Sequence, residues 1–360
     1  MKNLLIAFTF VPVLCLGADR TETGEINGAK FRIDMPEKWN GGMVVYCHGY
    51  SPKPGSYDDP KSNPFIDIFV NQGYAFVQSG YAAGGWAIQE GVEDTEALRR
   101  YFIRKYGKPK ETYVTGHSMG GFITMVLMES HSNEYDAGMP LCGPLGAATW
   151  VMERRPFDLR VVFDYYFPNA LPDPSNVPST FQMSKELDER IEKLLDSKAD
   201  QAEVLRRWSG IRTNKELGAT LVFFTYILMD LQQRGSGNPF DNRNIVYNGT
   251  PDDNALNNGV KRYISEPRST EYLQTYYTPT GRLTRPMLAV HTTYDALVPS
   301  WMPNSYSILT EQHGTKNLFV QQYVTHDGHC AINNTEVTHA FAELRQWKDH
   351  GVRPQPGLLQ

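Results

Sequence analysis

The feature that most constrains this chain of 360 residues is the pentapeptide Gly116-His117-Ser118-Met119-Gly120. The apolar run 112–115 precedes it, and an apolar helical stretch, 119–130, follows it. A strand-to-helix turn this tight leaves no space for side chains beside the serine, and it lifts the serine hydroxyl above the sheet. This context predicts that Ser118 is a nucleophile. The alternative is an ordinary glycine-rich turn between a strand and a helix.

A serine hydroxyl is a poor nucleophile until a base activates it, and the base needs an acid to orient it. In chains built around such a turn, the order is serine, acid, histidine. Asp295 follows the apolar run 287–291, and His329 lies between the run 317–324 and the last predicted helix. The sequence therefore predicts Ser118 as nucleophile, His329 as base and Asp295 as acid.

Two close neighbours compete for these roles. His326 is an alternative base, and Asp327 is an alternative acid. Gly328 favours His329, because a glycine frees the backbone to present the side chain that follows it. Asp327 is so near His329 in sequence that a local hydrogen bond within the loop is its expected role.

The sequence His48-Gly49-Tyr50 directly follows the apolar run 43–47. A loop in this position supplies one donor of an oxyanion hole, and the residue after the nucleophile supplies the other. We predict the backbone N–H groups of Tyr50 and Met119 as these donors. His48, Gly49 and His117 are predicted to contact the substrate, with a purely structural position as the alternative for His117.

Apolar runs that predict strands alternate with helical patterns in both halves of the chain. The predicted strands are 29–35, 43–47, 74–78, 112–115, 137–142, 287–291 and 317–324, and the helices are 94–106, 119–130 and one that begins at Asn333. Such alternation predicts an α/β fold with a mostly parallel sheet that helices cover on both faces. Residues 143–285 interrupt it with an aromatic stretch and helical patterns at 184–208 and 214–233. We interpret 19–142 and 286–360 as the core and 143–285 as a helical cap insertion.

The N-terminus has the pattern of an export signal. Met1-Lys2 is followed by the apolar run Leu4 to Leu16 and then by Gly17-Ala18. The run is shorter than the roughly 18 apolar residues that a membrane-spanning helix needs, and Leu14 is not the small residue expected before a lipidated cysteine. Residues 1–18 are therefore predicted to be a signal peptide of a secreted or periplasmic protein without a stable membrane anchor.

Charge and cysteine content exclude other classes. Lys and Arg number 35 against 40 Asp and Glu, a net charge of −5 that offers no footprint for nucleic acid. Cys-x-x-Cys spacing is absent, so no zinc or redox site is expected. Beyond the leader stand Cys47, Cys142 and Cys330, which allow one bridge and leave at least one thiol free.

The set formed by His48-Gly49-Tyr50, the serine turn, Asp295 and His329 resembles the α/β-hydrolase superfamily, especially its bacterial secreted esterases and lipase-like members. The resemblance covers roughly residues 25–142 and 286–350. It implies the α/β-hydrolase fold, a Ser-His-Asp triad and no cofactor or metal. The segment Gly80-Tyr81-Ala82-Ala83-Gly84-Gly85-Trp86 resembles the glycine-rich active-site loop of prolyl-oligopeptidase-like members.

The leading hypothesis is a serine esterase that cleaves a small-molecule or polymer-borne carboxylic ester, with an apolar or aromatic group such as a hydroxycinnamate on one side. A serine peptidase with the same triad is the alternative, and it needs an anchor for a peptide N-terminus, for which Glu90, Glu93 and Glu153 are candidates. A binding protein on an inactive hydrolase scaffold is the third class, and it normally lacks one member of the triad.

Overall fold

The computed structural model describes residues 20–58, 60–61 and 63–359. The predicted signal peptide, residues 1–18, lies outside the described residues. Within those ranges one nine-stranded sheet forms the centre of the molecule. Its strands are β1 (Arg20–Ile26), β2 (Ala29–Met35), β3 (Gly42–Cys47), β4 (Ala75–Ser79), β5 (Glu111–His117), β6 (Ala137–Leu141), β7 (Met287–Tyr294), β8 (Phe319–Asp327) and β9 (Gly357–Leu358).

The order of the strands across the sheet is β1-β2-β4-β3-β5-β6-β7-β8-β9. The strand pairs β1–β2 and β2–β4 are antiparallel, and every other neighbouring pair is parallel. The predicted mostly parallel sheet is confirmed. Because the carboxyl ends of parallel strands meet at one edge, the loops after β3, β5, β7 and β8 come together there.

Helices cover both faces of the sheet. The helices of the core are α1 (Pro64–Val70), α2 (Ile88–Tyr106), α3 (Met119–Ser130), α11 (Trp301–Gln312) and α12 (Asn334–His350). Successive strand residues point to opposite faces, so Val44 packs in the apolar cluster of α1 and α12, whereas Val45 packs in that of α2 and α3. The predicted double cover is therefore present. The capping box expected at Asn333 also forms, with Glu336 as its partner.

All of the regular secondary structure between β6 and β7 is helical. It contains a π-helical turn (Glu153–Phe157) and the helices α4 (Ala148–Met152), α5 (Asp158–Tyr166), α6 (Lys185–Ser197), α7 (Ala199–Ser209), α8 (Asn214–Gly235), α9 (Asp253–Gly259) and α10 (Pro267–Thr275). We call residues 142–286 the helical insertion. Among the described residues, no helix has the length and apolar character that crossing a membrane requires.

The single helix predicted over residues 184–208 is two helices in the structure. Lys198 leaves the helical conformation, with φ −130° and ψ 65°, and separates α6 from α7. The bend allows Leu195 of α6 and Leu205 of α7 both to be fully buried. Burial of these two leucines stabilises the insertion, because most helical stability in proteins comes from packing of the apolar face.

Candidate active site

Ser118 lies in a strained turn between β5 and α3. Its φ of 55° is in the left-handed region that side chains other than glycine rarely adopt. A Cβ on Gly120 would lie 1.9 Å from the carbonyl oxygen of Cys47, and one on Gly116 would lie 2.5 Å from the same atom. Both positions therefore exclude any side chain, as the sequence pattern predicts.

The three residues predicted as nucleophile, base and acid lie in one hydrogen-bonded row. His329 Nδ1 is 2.7 Å from Asp295 Oδ2, and His329 Nε2 is 2.8 Å from Ser118 Oγ. A carboxylate can only accept, so Nδ1 carries the ring proton and donates it to Asp295. Nε2 is then free to accept the hydrogen bond that the Ser118 hydroxyl donates. This is the tautomer that a general base beside a serine requires.

Asp295 is held firmly at the end of β7. Its side chain is buried, and Oδ1 accepts hydrogen bonds from the backbone N–H groups of Leu297 at 2.8 Å and Val298 at 2.9 Å. Burial acts to raise the pKa of Asp295. The hydrogen bond and charge of His329 and the Val298 N–H group outweigh burial, and together they lower the pKa below its ordinary value. The carboxylate is therefore ionised at neutral pH.

The competing residues lie in other contacts. His326 Nε2 is 2.8 Å from Glu336 Oε1 at the start of α12, and Arg212 donates to Asp327 Oδ2 at 2.5 Å. Both pairs are solvent-exposed. His291, which ends an apolar run in the sequence, donates from Nε2 to the carbonyl oxygen of Val298 at 2.7 Å. None of the three side chains contacts Ser118, so the row contains His329 and Asp295.

The two predicted oxyanion donors are free to donate. In the described part of the chain, neither the Tyr50 nor the Met119 backbone N–H group has a hydrogen-bond acceptor. Gly49 brings the loop after β3 against the serine turn, since a Cβ there would lie 3.2 Å from the carbonyl oxygen of His117 and 3.5 Å from Ser118 Cβ. Two unpaired N–H groups beside a serine hydroxyl can stabilise negative charge that develops on a substrate oxygen.

The glycine-rich segment 80–86 supports this loop. Gly85 N–H donates to the carbonyl oxygen of Ser51 at 2.7 Å, next to Tyr50. On its other side, Trp86 N–H donates to Asp230 Oδ2 of α8 at 2.6 Å, and Arg234 of the same helix donates to the Gly84 carbonyl oxygen. The sequence does not reveal this role, because the contact joins residues 144 positions apart.

An apolar cavity of about 310 Å³ opens onto Ser118. Helix α8 contributes Phe223, Phe224 and Ile227 to its wall, and α4 contributes Val151 and Met152. The helical insertion therefore shapes the space in which a substrate would lie. Lining of this kind, with few polar groups, is typical of small-molecule sites that bind apolar groups.

The three predicted substrate contacts differ in position. Gly49 and His117 line the cavity, whereas His48 does not. The ring of His48 stacks on Tyr81 at 3.9 Å between centroids, and its Nδ1 lies 2.7 Å from the carbonyl oxygen of Gly49. Tyr46 Oη lies within hydrogen-bond distance of His117 Nδ1, at 3.0 Å, so His117 also has a structural contact beneath the serine turn.

Burial lowers the pKa of His117 to about 4, and the nearby His329 adds to the shift. Because the folded chain keeps His117 neutral, the unfolded chain binds more protons from the ordinary value of 6.5 down to about 4. The contribution of the neutral His117 to the free energy of unfolding is complete above pH 6.5. We expect it to fall by about 3 kcal/mol as the pH falls through that window.

Urea unfolding at pH 7 and pH 4 measures this contribution. The decrease in the free energy of unfolding should be smaller by about 3 kcal/mol in His117→Gln than in the unsubstituted protein. His339→Gln, which replaces an exposed histidine of α12, is the matched control and should keep the full decrease. Equal decreases in the two variants would contradict the assignment to His117.

One of the three cysteines beyond the predicted signal peptide is free, as an odd number of cysteines requires. Cys142 and Cys330 form a disulfide, with their Cα atoms 5.2 Å apart, and Cys47 is buried within the core. Burial raises the pKa of Cys47 to about 12, so its thiol is protonated and unreactive at neutral pH. The bridge joins the residue after His329 to the residue after β6.

No protein-family model matches the sequence, and a comparison with curated proteins finds no match. Solved structures do match. Lipase A of Candida antarctica, in its closed state, aligns with 94% of this chain and 78% of its own at 16% identity, with a TM-score of 0.50. Est1E from Butyrivibrio proteoclasticus, with ferulic acid bound, aligns with 91% of this chain and 98% of its own at 15% identity, with a TM-score of 0.48.

Pyrococcus horikoshii acylaminoacyl peptidase aligns at 12% identity, with a TM-score of 0.48, over 92% of this chain but only 41% of its own. At these identities the similarity concerns the fold. The lipase match, over 94% of this chain, agrees with a mixed α/β architecture built on one mostly parallel sheet. This chain has the α/β-hydrolase fold.

Proposed function

We propose that the protein is a serine hydrolase that cleaves carboxylic esters through an acyl-enzyme. The observation that carries the proposal is the row of hydrogen bonds from Asp295 through His329 to Ser118, which ends at an apolar cavity. The three side chains have the hydrogen bonds that a Ser-His-Asp triad requires. This favours an enzyme over a binding protein on an inactive scaffold.

In the proposed reaction, Ser118 Oγ attacks the ester carbonyl carbon while His329 Nε2 takes the hydroxyl proton. The N–H groups of Tyr50 and Met119 donate to the oxyanion of the tetrahedral intermediate. His329 then gives its proton to the leaving alkoxide, which departs as an alcohol and leaves Ser118 acylated. Water attacks the acyl-enzyme while His329 takes one of its protons, and His329 then returns that proton to Ser118 Oγ as the acid departs. Asp295 stays ionised and stabilises the imidazolium in both halves.

The proposed substrate carries an apolar or aromatic acyl group. Trp86, Phe223 and Phe224 present aromatic surface to the cavity beside Ser118. Aromatic rings bury large areas and pack edge-to-face on one another. A hydroxycinnamate is an acid of this kind, and its esters are the substrates that we propose to test first.

The peptidase alternative is weaker in this geometry. Among the described residues that line the cavity there is no aspartate or glutamate to bind a peptide N-terminus. Glu90 forms an ion pair with Arg234 at 3.2 Å, and neither Glu93 nor Glu153 lines the cavity. An amine would enter an apolar space without a counter-charge, which is costly.

A comparison of leaving groups tests the proposal. The purified protein should hydrolyse 4-nitrophenyl butyrate and methyl ferulate, and a fluorophosphonate probe should label Ser118. Alanyl and acyl-alanyl 4-nitroanilides should be turned over at background rates. Faster hydrolysis of the nitroanilides than of the esters would favour the peptidase, and a chain that neither reacts with the probe nor hydrolyses any ester would not be an esterase.

We also propose that the protein acts outside the cytoplasm, in the medium or the periplasm. The Cys142–Cys330 disulfide supports this, since disulfides persist in oxidising compartments. Cell fractionation with an antibody against the protein tests it. Recovery of the full-length chain in the cytosol alone would contradict export.

A further inference from the structure

A second cavity of about 380 Å³ adjoins the active-site cavity, with which it shares Arg155 as a lining residue. We call it the tryptophan groove. Its walls include three tryptophans, one tyrosine and polar side chains, namely Trp150, Trp208, Trp301, Tyr247, Arg154, Asp158 and Asn248. Trp301 is 45% exposed, which is unusual for so large an apolar side chain on a protein surface.

Neighbouring residues of two helices line the tryptophan groove and the active-site cavity. In α4, Trp150 lines the groove while the next residue, Val151, lines the cavity. In α11, Trp301 lines the groove while the next residue, Met302, lines the cavity. Arg155 lines both. A ligand in the groove is therefore a close neighbour of the group that Ser118 would attack.

The aromatic side chains of the groove have unused hydrogen-bonding capacity. Within the described ranges, the indole N–H groups of Trp150, Trp208 and Trp301 donate to no other group. Trp150 and Trp301 meet edge to face, with ring centroids 5.3 Å apart. Each indole therefore offers both an apolar face and a free donor.

The polar residues of the groove are fixed in place beside these rings. Asp158 accepts from Tyr247 Oη at 2.9 Å and from Arg154 at 3.1 Å, and the side chain of Arg154 is 36% exposed. The side-chain amide of Asn248 is exposed and forms no hydrogen bond within the described residues. The groove therefore combines aromatic side chains with the free amide of Asn248 and the partly exposed guanidinium of Arg154.

We infer that the tryptophan groove is a saccharide-binding subsite, which holds the sugar that carries the scissile ester. A sugar ring has apolar C–H faces, which stack on aromatic rings, and hydroxyl edges, which pair with carboxylate, guanidinium, amide and indole groups. A wholly apolar occupant would desolvate the exposed polar groups of Arg154 and Asn248 without replacing their hydrogen bonds to water. A second copy of the chain would need a contact of about 1,000 Å² or more, whereas the groove is concave and small.

This inference rests on the proposed function for the link to ester cleavage, but saccharide binding is measurable without it. Binding of xylotetraose and cellotetraose to the full chain carrying Ser118→Ala can be followed by calorimetry. We expect at least one of them to bind, and Trp301→Ala in the same background to weaken that binding about tenfold, the loss expected for one aromatic contact. Ile264→Ala removes an apolar side chain that is 63% exposed, more than Trp301, from another cavity of the insertion and should leave binding unchanged.

Kinetics with Ser118 intact separate the subsite from the esterase. For a feruloylated xylo-oligosaccharide, Trp301→Ala should raise KM about tenfold at constant kcat, while hydrolysis of methyl ferulate stays unchanged. Absence of tetrasaccharide binding at millimolar concentration would overturn the subsite, and so would equal effects of Trp301→Ala and Ile264→Ala. If the saccharide binds through Trp301 but no ester is cleaved, the subsite stands and the proposed esterase fails.

Discussion

Replacing Ser118 by alanine is expected to lower kcat for ester hydrolysis by about a millionfold, to a residual rate still above that of water. The loss is this large because Ser118 Oγ is the atom that forms the acyl bond in the proposed mechanism. Its hydrogen bond to His329 at 2.8 Å is the contact that activates it. Removing the hydroxyl leaves the base with nothing to deprotonate except water.

The substitution should leave the fold and substrate binding intact. The strained turn, with φ of 55° at residue 118, depends on Gly116 and Gly120 rather than on the hydroxyl. The cavity walls are supplied by other residues, so the KM for any residual activity should change little. Circular dichroism and initial rates with 4-nitrophenyl butyrate measure both effects. Ser130→Ala, at the exposed end of the same helix, is the matched control and should keep full activity. Full turnover by Ser118→Ala would disprove the proposed nucleophile.

The sequence predicted the surroundings of Ser118 well because the signals there are local. The helix 119–130 has the predicted bounds, and the strands on either side of it differ from prediction by at most two residues at each end. Apolar runs of five residues in a parallel sheet are buried on both faces, and tight turns restrict side-chain size. Both effects produce short patterns that can be recognised directly in the amino-acid sequence.

Features that depend on distant contacts were not predictable in this way. Helix α1 was not predicted, because seven residues are too few to show a clear helical period. The break at Lys198 follows from packing of two leucines that lie ten residues apart. The contact of Trp86 with Asp230, and through it the support of the loop after β3, joins the core to the helical insertion across the fold. No short-range pattern marks either partner.

The pairing of the cysteines is also a feature that depends on distant contacts. Three cysteines allow three different single bridges, and nothing in their spacing chooses among them. The structure brings Cys142 and Cys330 together because β6 ends beside the loop that carries His329. The sheet order therefore determines the pairing, and it places the bridge where it bears on the proposed site.

Removing this disulfide is expected to destabilise the protein by about 5 kcal/mol, since the bridge closes a loop with a sequence separation of 188 residues. That is a large share of the 5–15 kcal/mol typical of a folded domain. For a chain of this length it corresponds to a fall in Tm of about 7 °C. Calorimetry of the Cys142→Ser/Cys330→Ser double variant measures it. A thiol reductant should lower the Tm of the unsubstituted protein similarly and leave that of the double variant unchanged, which separates loss of the bridge from other effects of the reagent.

The same bridge should also affect catalysis, because it anchors the loop of the base to the strand beside the nucleophile. Cys330 directly follows His329, and Cys142 directly follows Leu141, whose carbonyl oxygen accepts from Ser118 N–H at 2.9 Å. Without the bridge, His329 keeps its hydrogen bond to Asp295 but loses the restraint that holds Nε2 toward Ser118. A misplacement of about 1 Å costs roughly a hundredfold in rate. We therefore expect kcat of the double variant to fall by up to about a hundredfold, with KM little changed, when it is measured at a temperature where the variant is folded. Full kcat together with an unchanged Tm would show that the bridge neither stabilises the fold nor positions the base.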